Sequence, residues 1–196
     1  MTSMAAARPR RVVDRGAITA AWVGVGMAVT IGVSFLLVIP IEPIYWYLAL
    51  PAGLMIGYYA NARSRREGGP WLRILANGLL AGVATGITFA LLLLAVKALF
   101  FAADNGYRDQ GGSLTCQTGA DCVYQRYLAA GQGDALAAAG VTDVDSFTAL
   151  YWREQLSTAT LVFTLATAGG LGGAFLYGLT NRRRADDAGP AGAQPG

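Results

Sequence analysis

The sequence predicts an all-α membrane protein with four transmembrane helices and a partly helical extracytoplasmic loop. Composition is the first observation that predicts this fold class. Of the 196 residues, 54% are hydrophobic and only 14% are charged, whereas soluble domains carry about a quarter charged residues. The second observation is that the charged residues leave four long gaps. We predict the membrane helices at about residues 17–38, 44–60, 74–101 and 156–180.

Each gap can hold a helix of about 20 residues, enough to cross a hydrocarbon core of roughly 30 Å. In lipid, backbone polar groups must be satisfied within their own segment, so such a stretch becomes a helix. A soluble bundle, the alternative, would show a polar face at a period of about 3.6, and neither residues 34–39 nor residues 91–96 show one. The gaps lie between Arg15 and Glu42, Glu42 and Arg63, Arg73 and Lys97, and Glu154 and Arg182.

The elements follow in a simple order. Residues 1–16 form a basic tail, and a very short turn at Pro40–Pro43 separates the first two helices. The first helix ends without a small-residue cleavage site, so we predict that it is retained. A basic loop at 61–73 precedes the third helix, and the 102–155 loop precedes the fourth. Residues 17–180 therefore form one transmembrane domain, and the Gly- and Pro-containing tail at 181–196 is predicted to be disordered.

The arginines predict the orientation. Four arginines precede the first helix, four lie around the 61–73 loop, and three follow the fourth helix. With four spans, all three clusters fall on one side, which the positive-inside rule makes cytoplasmic. Both termini are therefore predicted in the cytoplasm and the 102–155 loop outside. Lys97 is the only lysine, a bias typical of GC-rich bacterial coding, so we expect a bacterial plasma membrane.

The only two cysteines, Cys116 and Cys122, lie in the loop predicted to be outside. An oxidising exterior favours a disulfide between them, and Gly119 gives the short ring the bend that it needs. A redox site would favour Cys-x-x-Cys, and a metal site would need more ligands than this chain without histidine offers. We therefore predict a structural disulfide.

The rest of this loop predicts three short helices. They cover residues 123–130, 134–139 and 145–156, and Asp143 or Asp145 is positioned to cap the last one. This helix is expected to run directly into the fourth membrane helix. Aromatic residues near the outer ends of helices predict an interfacial belt. They are Tyr45, Trp46, Tyr47, Tyr151 and Trp152.

Small residues recur every four positions in all four helices. This spacing makes one face smooth and lets helix backbones approach closely, which is how helices associate in lipid. We expect these faces to pack the four helices against one another, and a dimer interface or a mobile gate is the alternative. The packing residues are Gly24, Gly32, Gly53, Gly57, Gly78, Gly82, Gly86, Gly169 and Gly173.

No motif in the sequence points to catalysis. The absence of histidine excludes a Ser-His-Asp triad, and no glycine-rich phosphate loop follows a strand. The arginines lie at helix ends without interleaved aromatic residues, which argues against nucleic acid as a partner. Hydroxyl groups within the spans are expected to bond back to their own helices. We therefore predict no catalytic residue, no cofactor and no metal site.

Three functional hypotheses remain. The leading one is a non-catalytic accessory or interaction protein that presents the disulfide-bearing loop to a second membrane protein. The alternative is a transporter or channel for an unknown solute, built as a homo-oligomer because four helices alone enclose little space; it predicts threonines facing a shared axis. A membrane enzyme is the third, and its acids would be Glu42, Asp104 and Asp109.

Overall fold

The computed structural model describes residues 13–38, 42–64, 70–107 and 114–187, except the side chains of 42 and 182–187. Throughout these ranges the regular elements are helices, so the all-α class is confirmed. The predicted N-terminal tail up to residue 12, the centre of the 61–73 loop and the tail beyond 187 lie outside the described residues. The helices are α1 (Arg15–Gly32, continued by a π-helix at Val33–Val38), α2 (Glu42–Arg63), α3 (Trp71–Ala103), α4 (Ala120–Ala129), α5 (Gly133–Ala138) and α6 (Val144–Asp187).

Three helical segments of the described chain are long and apolar enough to cross a membrane. They are Arg15–Val38, Trp71–Ala103 and Val144–Asn181. Helix α2 is 22 residues long but is not among them, because its tyrosines, Trp46 and two prolines make it less apolar. Three of the four predicted spans thus meet the requirements of length and composition.

The predicted helix at 145–156 runs directly into the fourth long helix, as expected. Together they form α6, which begins at Val144 and continues for 44 residues without a break, a length of about 66 Å. The half-polar pattern at 145–156 and the apolar pattern after it belong to one helix, since neither glycine nor proline separates them. Residues 181–187 of the tail predicted to be disordered are helical.

The four long helices are arranged with α2 and α3 in the middle. Helix α1 packs against both on one side, and α6 packs against both on the other, without an extensive contact between α1 and α6. Helices α2 and α6 are parallel, since Gly53 faces Ala166 and Gly57 faces Gly170. Helix α3 is antiparallel to α6, because Gly86 faces Phe163 near one end and Gly78 faces Ala174 near the other.

Glycines occupy the closest contacts between these helices. A Cβ atom added at Gly53 or Gly57 would meet the α6 backbone, and one added at Gly169 or Gly173 would meet the α2 backbone. Gly78, Gly82 and Gly86 face α6 in the same way, whereas Gly24 and Gly32 on α1 face Thr85 and Leu92 of α3. All nine glycines predicted to pack thus lie at contacts within one chain. The smooth faces let the backbones approach where lipid provides no hydrophobic driving force.

Candidate functional site

A buried polar cluster joins three helices at the end of the bundle where α1 begins. The Asn77 amide group donates to Asp14 Oδ2 at 2.9 Å and to Asn61 Oδ1 at 3.3 Å, and its oxygen accepts from the Asp14 backbone N–H at 3.1 Å. Asn61 donates to the Ile74 carbonyl at 3.0 Å. Both asparagines are fully buried. We call Asp14, Asn61 and Asn77 the asparagine cluster, and its satisfied bonds indicate a structural role.

The hydroxyl groups of the long helices bond mainly to their own backbones. Thr85 donates to the Ala81 carbonyl at 2.8 Å, and Thr164 donates to the Thr160 carbonyl at 2.8 Å. Thr85 is buried between helices, whereas Thr160 and Thr164 are exposed on α6. These side chains therefore do not line one common polar path within a single chain.

The chain between α3 and the membrane part of α6 folds on a hydrophobic core of its own. We call residues 104–155 the connecting segment; its described parts are 104–107 and 114–155. Phe101 of α3 stacks on Tyr151 of α6 with ring centroids 4.7 Å apart, and Phe147 is only 1% exposed. The core consists of Phe101, Val123, Leu136, Val141, Phe147 and Tyr151.

This core corrects part of the predicted aromatic belt. Tyr151 is buried in the connecting segment, and Tyr45 is fully buried in the bundle, where its hydroxyl donates to the Phe89 carbonyl at 2.5 Å. Tyr47, in contrast, is 80% exposed. Sequence position alone placed these side chains near a helix end but could not show which of them point inward.

A disulfide joins Cys116 to Cys122, with the two Cα atoms 5.1 Å apart. The ring that it closes sits against the end of α3, because the Gly119 N–H donates to the Asp104 carbonyl at 2.6 Å. Gly119 has a φ of +97°, a conformation that glycine adopts without steric cost. Gly106 (φ +72°) lies directly beneath, where an added Cβ would meet the Cys116 sulfur at 2.5 Å.

Asp104 is one of the three acids of the enzyme hypothesis, and the structure gives it a structural role. Its Oδ1 accepts from Arg126 at 2.8 Å and from the Gly106 N–H at 2.8 Å. The Asp104 side chain is 9% exposed and that of Arg126 is 43% exposed. Asp109 and the Glu42 side chain, the other two predicted acids, lie outside the described residues.

Removing the disulfide is expected to loosen the connecting segment without unfolding the bundle. In the double variant Cys116→Ser/Cys122→Ser, no disulfide ring restricts the unfolded chain, so its conformational entropy is higher. The connecting segment therefore loses about 2 kcal/mol of stability. Hydrogen exchange of α4 amides, compared with those of α3, measures the effect. Equal protection of α4 in the variant and the native chain would contradict the prediction.

Glycine turns end the first two helices of the connecting segment. At the end of α4, Gly131 has a φ of +77° and the Gln132 N–H donates to the Tyr127 carbonyl. At the end of α5, Gly140 has a φ of +82° and the Val141 N–H donates to the Leu136 carbonyl. Both arrangements close the last helical turn. They turn the chain back so that α4 and α5 cover the first turns of α6.

Asp143, rather than Asp145, caps α6. Its Oδ1 accepts from the Ser146 N–H at 2.8 Å, and the Ser146 hydroxyl in turn accepts from the Asp143 N–H at 3.1 Å. This reciprocal pair satisfies two donors at the helix start. The Ser146 backbone N–H, with help from the Ser146 hydroxyl, holds the pKa of the Asp143 carboxyl below its ordinary value of 3.8.

The Asp143 cap is expected to act only while the carboxyl is ionised. Because its pKa is lowered in the folded chain, its contribution is present above pH 3.8 and is lost as the pH falls through the lower folded value. Asp143→Ala should speed hydrogen exchange in the first turn of α6 at neutral pH, and the native chain should approach the variant in acid. Asp145→Ala is the control, since this side chain lacks the reciprocal bond; an equal effect of both variants would contradict the assignment.

Comparison with known proteins gives no match: no protein-family profile, no curated protein and no solved structure is similar to this chain. The described residues also bring together no group of three or more histidine, cysteine or acidic side chains that could hold a metal ion. The feature left to consider is the connecting segment, a folded and disulfide-linked surface attached to the long helices.

Proposed function

We propose that the chain is a non-catalytic membrane protein that presents the connecting segment to another membrane protein. One observation carries this proposal: the connecting segment has its own aromatic core and disulfide, while the asparagine cluster and Asp104 are used in internal bonds. A loop that only linked two spans would need neither a core nor a cross-link. A folded surface at a membrane is suited to recognition.

Continuity of α6 supports this proposal. Phe147 and Tyr151 in the connecting segment and Val162 and Ala166 in the bundle all belong to this one helix. The surface is therefore held in a fixed direction relative to the bundle. Binding sites on rigid elements lose less entropy on association than mobile loops do.

The proposal includes four spans, with α2 as the fourth. Helix α2 lies along α3 from the Tyr45–Phe89 bond to the Asn61–Ile74 bond. From Tyr45 to Asn61 the helix rises by 16 residue steps, about 24 Å, which is most of a hydrocarbon core. Helix α3 is long and apolar enough to cross a membrane. Because α2 runs beside α3, we propose that α2 crosses the membrane with it. Of the tyrosines of α2, Tyr45 is buried against α3, while Tyr47, Tyr58 and Tyr59 are exposed near the two ends of the helix, where tyrosines are common at membrane interfaces.

We further propose that both termini are cytoplasmic and that the connecting segment lies outside a bacterial plasma membrane. The arginine clusters support this orientation, as does a disulfide, which persists in an oxidising compartment. Fusions at the C-terminus test it. A fluorescent protein that requires the cytoplasm should be active there and a periplasmic phosphatase inactive; the reverse pattern would refute the orientation.

Site-directed crosslinking tests the interaction itself. A photoreactive residue at exposed Leu128 on α4 should capture a partner in native membranes, whereas the same residue at exposed Leu171 within the α6 span serves as the lipid-facing control. Co-purification in mild detergent provides the second measurement. A chain that remains solitary in both experiments would overturn the proposal.

A second candidate is the oligomeric transporter or channel, and one observation favours it. Thr160, Thr164 and Ala168 are exposed at four-residue spacing on α6, and the next position, Gly172, has no atom within 4 Å of an added Cβ. This strip is where a second copy could approach closely. Reconstituted vesicles that show no flux of ions or small solutes would exclude this function.

A further inference from the structure

Helix α3 exposes large apolar side chains along almost its whole length. Leu72, near its first residue, is 73% exposed, and Leu99 and Phe100, near its last, are 61% and 56% exposed. Between them Ile87 and Leu91 are exposed as well. From Leu72 to Phe100 the helix rises by 28 residue steps, about 42 Å. A hydrocarbon core is only about 30 Å thick, so the apolar surface of α3 is longer than the core that it would cross.

The apolar surfaces of α1 and α6 are shorter. On α1 the exposed large apolar side chains run from Ile18 to Val38, and on α6 they run from Leu156 to Leu179. These distances are about 30 Å and about 35 Å, close to the thickness of a hydrocarbon core. Among these three helices, an excess of about 10 Å over the core is therefore specific to α3.

Contacts between α3 and α6 show the level at which this excess lies. Phe101 of α3 stacks on Tyr151 of α6, and the two helices are antiparallel, so Leu99 is level with Arg153. Arg153 and the next residue, Glu154, are both exposed. At this depth α6 therefore exposes charged side chains where α3 exposes large apolar ones. A hydrocarbon core that ended at the charges of α6 would leave the end of α3 among the lipid head groups.

Tilting does not remove this mismatch. A helix of about 42 Å fits a core of about 30 Å only at an inclination of about 45°, beyond the range of about 0–40° seen for membrane helices. Helices α1 and α3 tilt together, because Gly24 packs against Thr85 and Gly32 against Leu92. At about 45° the apolar surface of α1 would cover only about 21 Å of the core. Helix α3 is also continuous and without proline, so a kink does not shorten it.

The size of the exposed end favours lipid over a protein as its partner. Leu99 and Phe100 each expose a little more than half of the residue, together roughly 200 Å². A stable protein interface buries about 800 Å² on each partner. Acyl chains need no minimum area, because they are continuous with the lipid around the exposed Leu91 below.

We propose that the bilayer thickens beside α3, so that phospholipids with long acyl chains collect around Leu99 and Phe100. Longer chains cover these two side chains, whereas lipids of ordinary length leave them among head groups, at a modest free-energy cost for each ångström of mismatch. The partner of this surface is thus a long-chain phospholipid, selected by chain length and not by head group. This inference rests on the membrane placement of α3, and it depends neither on the orientation of the protein nor on a partner protein.

Lipid selection by the full-length protein tests this inference. The protein is reconstituted in an equimolar mixture of dioleoyl- and dierucoyl-phosphatidylcholine, which share a head group and differ in chain length, and is excised in styrene–maleic acid discs. Mass spectrometry should show the longer lipid enriched about twofold over protein-free discs, or about 0.4 kcal/mol for each lipid exchanged. An unchanged ratio would overturn the proposal alone, whereas failure to insert into either lipid would overturn the membrane placement as well.

Matched variants locate the selection at the end of α3. Leu99→Gln/Phe100→Gln shortens the apolar surface and should return the lipid ratio to that of protein-free discs, whereas Leu99→Ala/Phe100→Ala keeps the surface apolar and should retain most of the enrichment. Arg153→Leu/Glu154→Leu lengthens the apolar surface of α6 and should raise the enrichment. Equal ratios in the glutamine and alanine pairs would contradict the proposal.

Photocrosslinking in native membranes identifies what contacts this end of α3. A photoreactive phenylalanine analogue in place of Phe100 should give adducts with the mass of phospholipid. A discrete protein adduct as the main product would overturn the proposal, because it would show that a protein and not lipid covers this surface.

Discussion

Replacing Gly170 by leucine is expected to separate three helices and to lower the free energy of unfolding by about 3 kcal/mol or more. A Cβ added at Gly170 would meet the carbonyl of Gly78 at 2.6 Å and the Cα of Gly82 at 2.7 Å, both on α3. On its other side, the Gly170 backbone lies against α2, because a Cβ added at Gly57 would meet the Gly170 carbonyl. Backbone atoms cannot move aside as flexible side chains can, so α6 must withdraw.

The control for this prediction is two residues away on the same helix. Gly172 has no atom within 4 Å of an added Cβ, and neither has Gly26 on α1. Gly172→Leu and Gly26→Leu should therefore leave the unfolding transition of the purified monomer nearly unchanged. Denaturant titration in detergent micelles, followed by circular dichroism, gives the comparison. If Gly170→Leu were as stable as the two controls, the helix arrangement would be wrong.

Asn77→Asp is expected to be the second most damaging change, although it alters the side chain by only one group. The Asn77 amide donates to Asp14 Oδ2 and Asn61 Oδ1, and an ionised carboxylate donates to neither. Two acceptors lose their bonds, and a buried negative charge is placed beside the Asp14 carboxylate. Uncompensated buried charge typically costs about 3 kcal/mol or more.

A matched substitution separates this effect from a general intolerance of charge. Asn181 on α6 is only partly buried, and its amide donates to one carbonyl, that of Tyr177. Asn181→Asp should therefore cost about 1 kcal/mol. Asn77→Ala should fall between the two, because it removes the bonds without adding charge. Unfolding of the three variants under identical conditions gives the order, and a similar loss in all three would contradict the role of the asparagine cluster.

Local patterns explain why much of the fold could be predicted. In lipid, a charge-free run long enough to cross the hydrocarbon core must satisfy its backbone as a helix, and four-residue glycine spacing makes a smooth face whichever neighbour it meets. The two cysteines are close enough in sequence for Gly119 alone to bring them together. Asp143 was one of two candidates for the cap, because the sequence shows an acid near the helix start but not which carboxyl reaches the Ser146 N–H.

The remaining features depend on which helices become neighbours. Gly170 matters because Gly57, Gly78 and Gly82 come from two other helices, and no periodicity within α6 distinguishes it from Gly172. Asn61 and Asn77 are 16 residues apart on different helices, so neither predicts the other. The aromatic core of the connecting segment needs α4 to return over α6 at Gly131. Without knowledge of that return, the sequence is equally consistent with Tyr151 as an interfacial anchor and with Tyr151 as a core residue.

The unbroken course of α6 has a mechanical consequence. No flexible joint lies between the first turn at Asp143 and the far end of the bundle, where Gly178 is covered by the Trp71 ring. A force applied to the connecting segment is therefore transmitted along α6 to its other end. It acts as a torque on a rod about 66 Å long, whose pivot is the glycine contact with α2 and α3. A partner bound to the connecting segment, as proposed above, would therefore be coupled mechanically to the opposite end of α6.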